Sequence, residues 1–142
     1  MAAPMTDAEW RAFVSEGTRT AKIATTRADG RPHVAPVWFL LDGGSLVFNT
    51  GKNTVKGRSL IRDGRIALCA DDDRPPFSFV VIDGRAQVSE DSPEMRDWAT
   101  RIAGRYVGEA RAAEYGARNS EPGMLLVRMS IEKVLAFSGV AD

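Results

Sequence analysis

The sequence predicts a mainly β, α+β domain: one antiparallel sheet closed as a barrel, with helices packed outside. Three observations carry this. Short segments rich in β-branched and apolar residues recur between tight turns. The turns are too short for parallel crossovers, so neighbouring strands run antiparallel. The helical patterns are few and stand apart from the strand runs rather than alternating with them.

The elements follow in order. Thr6-Asp7-Ala8-Glu9 is a capping-box pattern, hydroxyl three residues before carboxylate. It opens a short helix with Trp10, Phe13 and Val14 on one face, ending near Gly17. Thr20 to Arg27 reads as a strand, Ala28-Asp29-Gly30-Arg31 as a hairpin turn, and His33 to Leu41 as a second strand. Pro36 inside it donates no ladder hydrogen bond, so it marks an edge, a bulge or a place where something else meets the backbone. Asp42-Gly43-Gly44 turns into a third strand, Ser45 to Asn49. Asn53 then reads as the N-cap of a helix reaching Asp63 and stopping at Gly64. Arg65 to Ala70 is a fourth strand, with Cys69 as a small core residue. After the polar turn 71–76, Phe77 to Ser89 forms a long, bent fifth strand. Ser92-Pro93-Glu94 starts a helix to about Val107, and a second helical piece covers Glu109 to Ala117. Gly123 to Phe137 is the sixth and last strand. No internal repeat or second domain is visible, so residues 1–142 read as one domain.

Composition narrows the function classes. Nineteen basic and nineteen acidic residues balance, so no overall basic field invites nucleic acid or an anionic membrane. The single cysteine excludes an intrachain disulfide, and no run is long enough to span a bilayer. A soluble, reduced, cytoplasmic protein is the expectation. His33 is the only histidine, which argues against a zinc site. Neither a nucleophile elbow nor a Cys–His pair is present.

The most informative stretch is Ser45 to Arg58. A strand delivers Asn49-Thr50-Gly51-Lys52 to a helix N-terminus, whose first N–H groups lack intrahelical partners. Thr50 and Thr54 add hydroxyls, and Lys52 and Lys56 add charge, two of only four lysines in the chain. This reads as a phosphate grip. It is not a Walker A loop, because the first glycine and the hydroxyl after the lysine are missing. Phe77-Ser78-Phe79 sets two aromatics on one strand face, suited to a wall against a planar ring.

Several segments together resemble a known family. Ala24-Thr25-Thr26-Arg27-Ala28-Asp29-Gly30-Arg31-Pro32-His33 is similar to the first hairpin of the pyridoxamine 5′-phosphate oxidase-like split β-barrel proteins. Val37-Trp38-Phe39 resembles their second strand, and Asn49 through Lys56 their phosphate-binding turn, with Lys56 at the phosphate lysine. Leu60 to Leu68 and Gly84-Arg85-Ala86-Gln87-Val88 match further segments in the family's order. Within the family the chain is most similar to the branch that uses the deazaflavin coenzyme F420. The resemblance implies a six-stranded, FMN-binding-like split barrel and a homodimer with cofactor sites at the subunit interface. It implies an oxidoreductase that passes a hydride from reduced F420 to an electron-poor small molecule. Asn49, Thr50, Asn53, Thr54 and Lys56 would hold phosphate, and Lys52 the negatively charged tail. Pro36, Val37 and Trp38 would line the ring by backbone contact, and Phe77 and Phe79 would wall the partner's site. The residues that match pyridoxal phosphate in the oxidase itself are not evident. An FMN enzyme of the same fold, a non-catalytic F420 carrier and a haem-binding barrel are the rival readings. No catalytic residue is assigned, and His33, Tyr106, Tyr115 and water stand as candidate proton donors.

Overall fold

The computed structural model describes residues 2–142. After β1 (Ala3–Pro4), helix α1 (Asp7–Val14) carries the capping box: Thr6 Oγ1 accepts from the Glu9 N–H and Glu9 Oε1 from the Thr6 N–H. Trp10 and Val14 are buried and Phe13 packs at the margin. Strands β2 (Ala21–Thr26) and β3 (Pro32–Val37) form the hairpin at Asp29-Gly30. Then come β4 (Leu40–Asp42), β5 (Ser45–Gly51), α2 (Val55–Arg62), β6 (Arg65–Asp71) and β7 (Phe79–Ser89). Helices α3 (Met95–Val107) and α4 (Glu109–Arg118) precede β8 (Met124–Ser130) and β9 (Lys133–Ser138).

All pairings are antiparallel, in the order β3-β2-β6-β7-β8-β5-β4, with β9 joined to β7 and to β1. β7 makes the turn of the barrel. Residues 79–85 pair with β6, and Ala86 to Ser89 pair with β8. Gly84 sits at the crossing, where a Cβ would overlap the Ser130 carbonyl oxygen, so only glycine fits the bend. The interior holds Ile23, Phe39, Phe48, Leu68, Ile82, Leu125, Val127 and Met129, closed at one side by Trp10 and Val14. A second apolar layer, Val47, Leu126, Met95, Trp98 and Ile102, joins α3 to the outer side of β5 and β8.

The structure has nine strands among the described residues rather than six, and two breaks account for most of the difference. The expected second strand divides because the Phe39 N–H donates to the Tyr106 hydroxyl and its carbonyl accepts from Arg105. Those groups are therefore not available to a ladder. The expected last strand divides at Ile131 and Glu132, whose N–H groups bond the carbonyls of Gly44, in the turn between β4 and β5, and Asp83, on β7. Three smaller expectations are also corrected. The N-cap of α2 is Thr54, not Asn53. α3 begins at Met95, and Ser92 caps only the preceding turn, through the Glu94 N–H. Cys69 lies half-buried on the outer face of β6, because Ile66, Leu68 and Ala70 take the inward positions.

Candidate functional site

The barrel is left open along two edges. β3 pairs only with β2, and β4 covers β5 only from Ser45 to Val47. That edge of residues 48–51 has no strand partner among the described residues. A cleft of about 360 Å³ lies here. Pro36, Val37 and Trp38 line it from β3 and the chain beyond, Asn49, Thr50 and Gly51 from β5, and Lys56 from α2. Thr20, Ile102, Asn119 and Met124 complete the wall. These last four were not legible as site residues. They come from four separate places in the sequence, and none sits in a recognisable pattern.

The turn from β5 into α2 is tightly built. Thr54 Oγ1 accepts from the Gly57 N–H at 3.0 Å and donates to the Gly51 carbonyl at 2.8 Å. With that proton committed, Thr50 is the donor in its 3.4 Å contact with Thr54. Thr54 is thus the exposed cap of α2 and does not line the cleft. Gly57 is required by the same packing, since a Cβ there would collide with the Gly51 carbonyl oxygen. Asn49 is held by its amide, which donates to Met95 Sδ at 3.2 Å.

Lys56 is the cation of the cleft. It is half-buried, and no carboxylate or carbonyl among the described residues takes its ammonium. Burial alone pushes its pKa below the ordinary lysine value. An uncompensated, partly desolvated ammonium on a concave wall is suited to an anion supplied from outside. Lys52 is different. Its Nζ lies 2.6 Å from Glu90 Oε1, and Glu90 together with Asp91 holds its pKa above the ordinary value. Neither Lys52 nor exposed Asn53 lines the cleft.

The segment Pro36 to Trp38, which lines the cleft, is fixed from behind. Trp38 stacks on Tyr106 with centroids 5.2 Å apart and planes within 5°, and Tyr115 lies tilted at 6.2 Å. The Tyr106 hydroxyl donates to the Arg19 carbonyl at 2.8 Å, and burial pushes its pKa up. Arg105 donates to the carbonyls of Val14, Gly17, Arg19 and Phe39, tying α3 to the chain on either side of β2 and β3. His33, Tyr106 and Tyr115, the candidate proton donors, do not line the cleft. His33 instead faces Thr25 across the hairpin, with its Nδ1 buried and unpartnered. Phe77 and Phe79 also lie away from the cleft of their own chain. Phe79 packs against Phe137 at 5.9 Å, and Phe77 sits exposed in the preceding turn at φ 60°.

A family model described as pyridoxamine 5′-phosphate oxidase matches residues 6–137. No curated protein sequence matches the chain. Among solved structures, a conserved hypothetical protein from Mycobacterium tuberculosis has a TM-score of 0.82 at 22% identity, covering 95% of this chain and 86% of that one. A structure titled F420 reductase has a TM-score of 0.67 at 20% identity, over 87% and 94% of the two chains. The heme storage protein HutZ from Vibrio cholerae has a TM-score of 0.75 at 18% identity, over 96% and 98%. At these identities the likeness is one of fold.

Proposed function

The chain belongs to the pyridoxamine 5′-phosphate oxidase family, whose model spans residues 6–137, and from that premise we propose that it is an oxidoreductase holding a phosphate-bearing deazaflavin or flavin beside Lys56. The finer reading is an F420-dependent reductase acting on an electron-poor small molecule. The observation that carries it is the half-buried, unpartnered Lys56 ammonium in the cleft between the two open edges.

The residues present fit such a group. Lys56 would neutralise the phosphate from the first turn of α2, the positive end of that helix. Thr50 and Asn49 border the same position. The open backbone edge at Pro36 to Trp38 lies along the ring, with the Trp38–Tyr106 stack as a rigid support. Bound there, a reduced ring of this type supplies the hydride, and the protein's part is orientation and electrostatics.

FMN is the second reading, and one observation favours it. Lys52 is already engaged by Glu90 and is not available to a charged tail. Haem has less support, because the sole histidine, His33, does not line the cleft.

The same reading includes a homodimer. The outer face of the sheet from β3 to β9 carries Val34 and Leu135, 65% and 48% exposed, around Ala24, Ala67 and Val81. Phe77 and Val140, 41% and 45% exposed, extend it. In the homodimer that the family resemblance implies, this face would meet a second copy, and Phe77 and Phe79 of one chain would wall the cleft of the other. Sedimentation gives a dimer, and Leu135→Glu a monomer, if this holds. No helix among the described residues is long and apolar enough to cross a membrane; the cytoplasm is the proposed compartment.

The deciding experiment is titration of the purified protein with F420 and, separately, with FMN, followed by fluorescence. Micromolar or tighter binding of either supports the cofactor site, and turnover of an acceptor by the reduced complex separates an enzyme from a carrier. Binding of neither refutes the reading.

A further inference from the structure

The cleft carries polar groups that its phosphate end does not use. On the β5 side the Asn49 amide is engaged by Met95 Sδ and the Leu125 carbonyl, and the Thr50 hydroxyl by Thr54. Lys56 is assigned to the phosphate. Three further side chains line the cleft with hydrogen-bonding groups that have no hydrogen-bond partner among the described residues: Thr20, Trp38 and Asn119.

Asn119 differs from the other two in chemistry and in support. Thr20 offers a single hydroxyl oxygen and Trp38 a single indole N–H. Asn119 offers a donor and an acceptor side by side on one planar amide. It is the half-buried C-cap of α4, where its backbone N–H donates to the Tyr115 carbonyl at 2.8 Å. The hydroxyl of Ser120 donates to the Gly116 carbonyl at 2.7 Å and closes the same helix end. One turn back, the Tyr115 ring tilts against Trp38, and the guanidinium groups of Arg111 and Arg118 lie 4.7 and 5.4 Å from its centroid. Asn119 is therefore tied to the Trp38 wall through Tyr115, and it sits on a helix end rather than on a free loop.

Flavins and deazaflavins share an imide edge, a ring N–H between two carbonyls. Much of the cleft wall is apolar: Pro36, Val37, Ile102 and Met124. An imide edge taken out of water against such a wall needs replacement hydrogen bonds, or its desolvation counts against binding. We infer that Asn119 reads this edge: its side-chain carbonyl accepts from the ring N–H while its NH2 donates to the neighbouring ring carbonyl. The inference rests on the reading of the cleft as a deazaflavin or flavin site and holds for either ring, because the edge is the same in both. Asn119 thus binds the ring, independently of Lys56 at the phosphate.

The test compares FMN and F420, each beside its derivative methylated on the imide nitrogen, by fluorescence titration of wild type, Asn119→Ala and Lys56→Ala. The readout is the ratio of the two dissociation constants, parent against methylated. Measured within one preparation, it cancels any difference in the amount of folded protein. Wild type binds the methylated form about tenfold more weakly, because the methyl group removes the donor and leaves the Asn119 acceptor unpaired. Asn119→Ala brings the two within about twofold of each other, whereas Lys56→Ala weakens both and keeps the wild-type ratio. If wild type binds a parent and its methylated form equally, the imide edge is not read, and the inference is overturned while the cofactor site stands. The same holds if Asn119→Ala discriminates as strongly as wild type, since another group then reads the edge. If neither parent binds wild type, the cofactor reading fails and the inference falls with it.

Discussion

Replacing Lys56 by alanine separates binding from folding, because the structure makes the two effects opposite in sign. Lys56 is the second residue of α2, in a first turn that contains no acidic side chain. A cation there opposes the helix macrodipole, at a cost of about 0.3–1 kcal/mol. Its half-burial without a counter-charge adds a desolvation cost, seen in the lowered pKa. Alanine removes both penalties and is the better helix former. The melting temperature of the cofactor-free variant therefore stays level or rises. Cofactor affinity moves the other way. Loss of one charge-assisted contact to phosphate, on the order of 1.5–3 kcal/mol, weakens binding about ten- to a hundredfold. The assay is fluorescence titration with FMN and F420, beside thermal melts of the same preparations. Unchanged affinity refutes the phosphate assignment. A clear fall in melting temperature refutes the claim that Lys56 is held at a cost to the fold.

Three further outcomes follow from the geometry. Affinity for FMN falls as pH rises through the lowered Lys56 value, earlier than an ordinary lysine would allow, when measured above about pH 7.5 where a phosphomonoester is fully charged. Stability has the reverse sign: the unfolded chain binds more protons between the lowered and the ordinary value, so this contribution grows with pH there. Lys56→Arg keeps its charge throughout and abolishes the alkaline break in affinity. Gly57→Ala drives a Cβ into the Gly51 carbonyl and costs about 1–3 kcal/mol in urea unfolding, with loss of binding because α2 is displaced from β5. Arg105→Ala takes the guanidinium from the carbonyls of Val14, Gly17 and Phe39, while the Arg19 carbonyl keeps the Tyr106 hydroxyl, and costs about 3 kcal/mol by the same measurement.

Local chemistry was legible wherever one segment carried its own signal. The Thr6–Glu9 box, the Asp29-Gly30 hairpin and the β5-to-α2 turn all use side chains within four residues of one another. The cap of α2 was misplaced by one residue because Asn53 and Thr54 are both good caps; the Gly51 carbonyl decides between them by accepting from Thr54. The pairing of Lys52 with Glu90 was not legible. The two lie 38 positions apart and meet only because β7 crosses between the two halves of the sheet. Thr20, Ile102, Asn119 and Met124 were invisible as site residues for the same reason: only the folded sheet with α3 and α4 packed on it brings them to one cleft.

The break at Trp38-Phe39 shows why failure of a strand prediction and location of a site coincide here. Alternation and β propensity both favour a continuous strand from His33 to Leu41. Arg105 and Tyr106 prevent it by taking the Phe39 backbone groups, and the chain leaves one half of the sheet for the other at that point. Had the strand continued, β3 and β4 would form one edge and the seam would close. Because it does not, Pro36, Val37 and Trp38 face an open cleft, and the two side chains that impose the break also hold Trp38 by stacking and anchor the loop behind it. The departure from local preference is thus the feature that opens the cleft, in keeping with the expectation that a sequence gives up regular structure where a site is built.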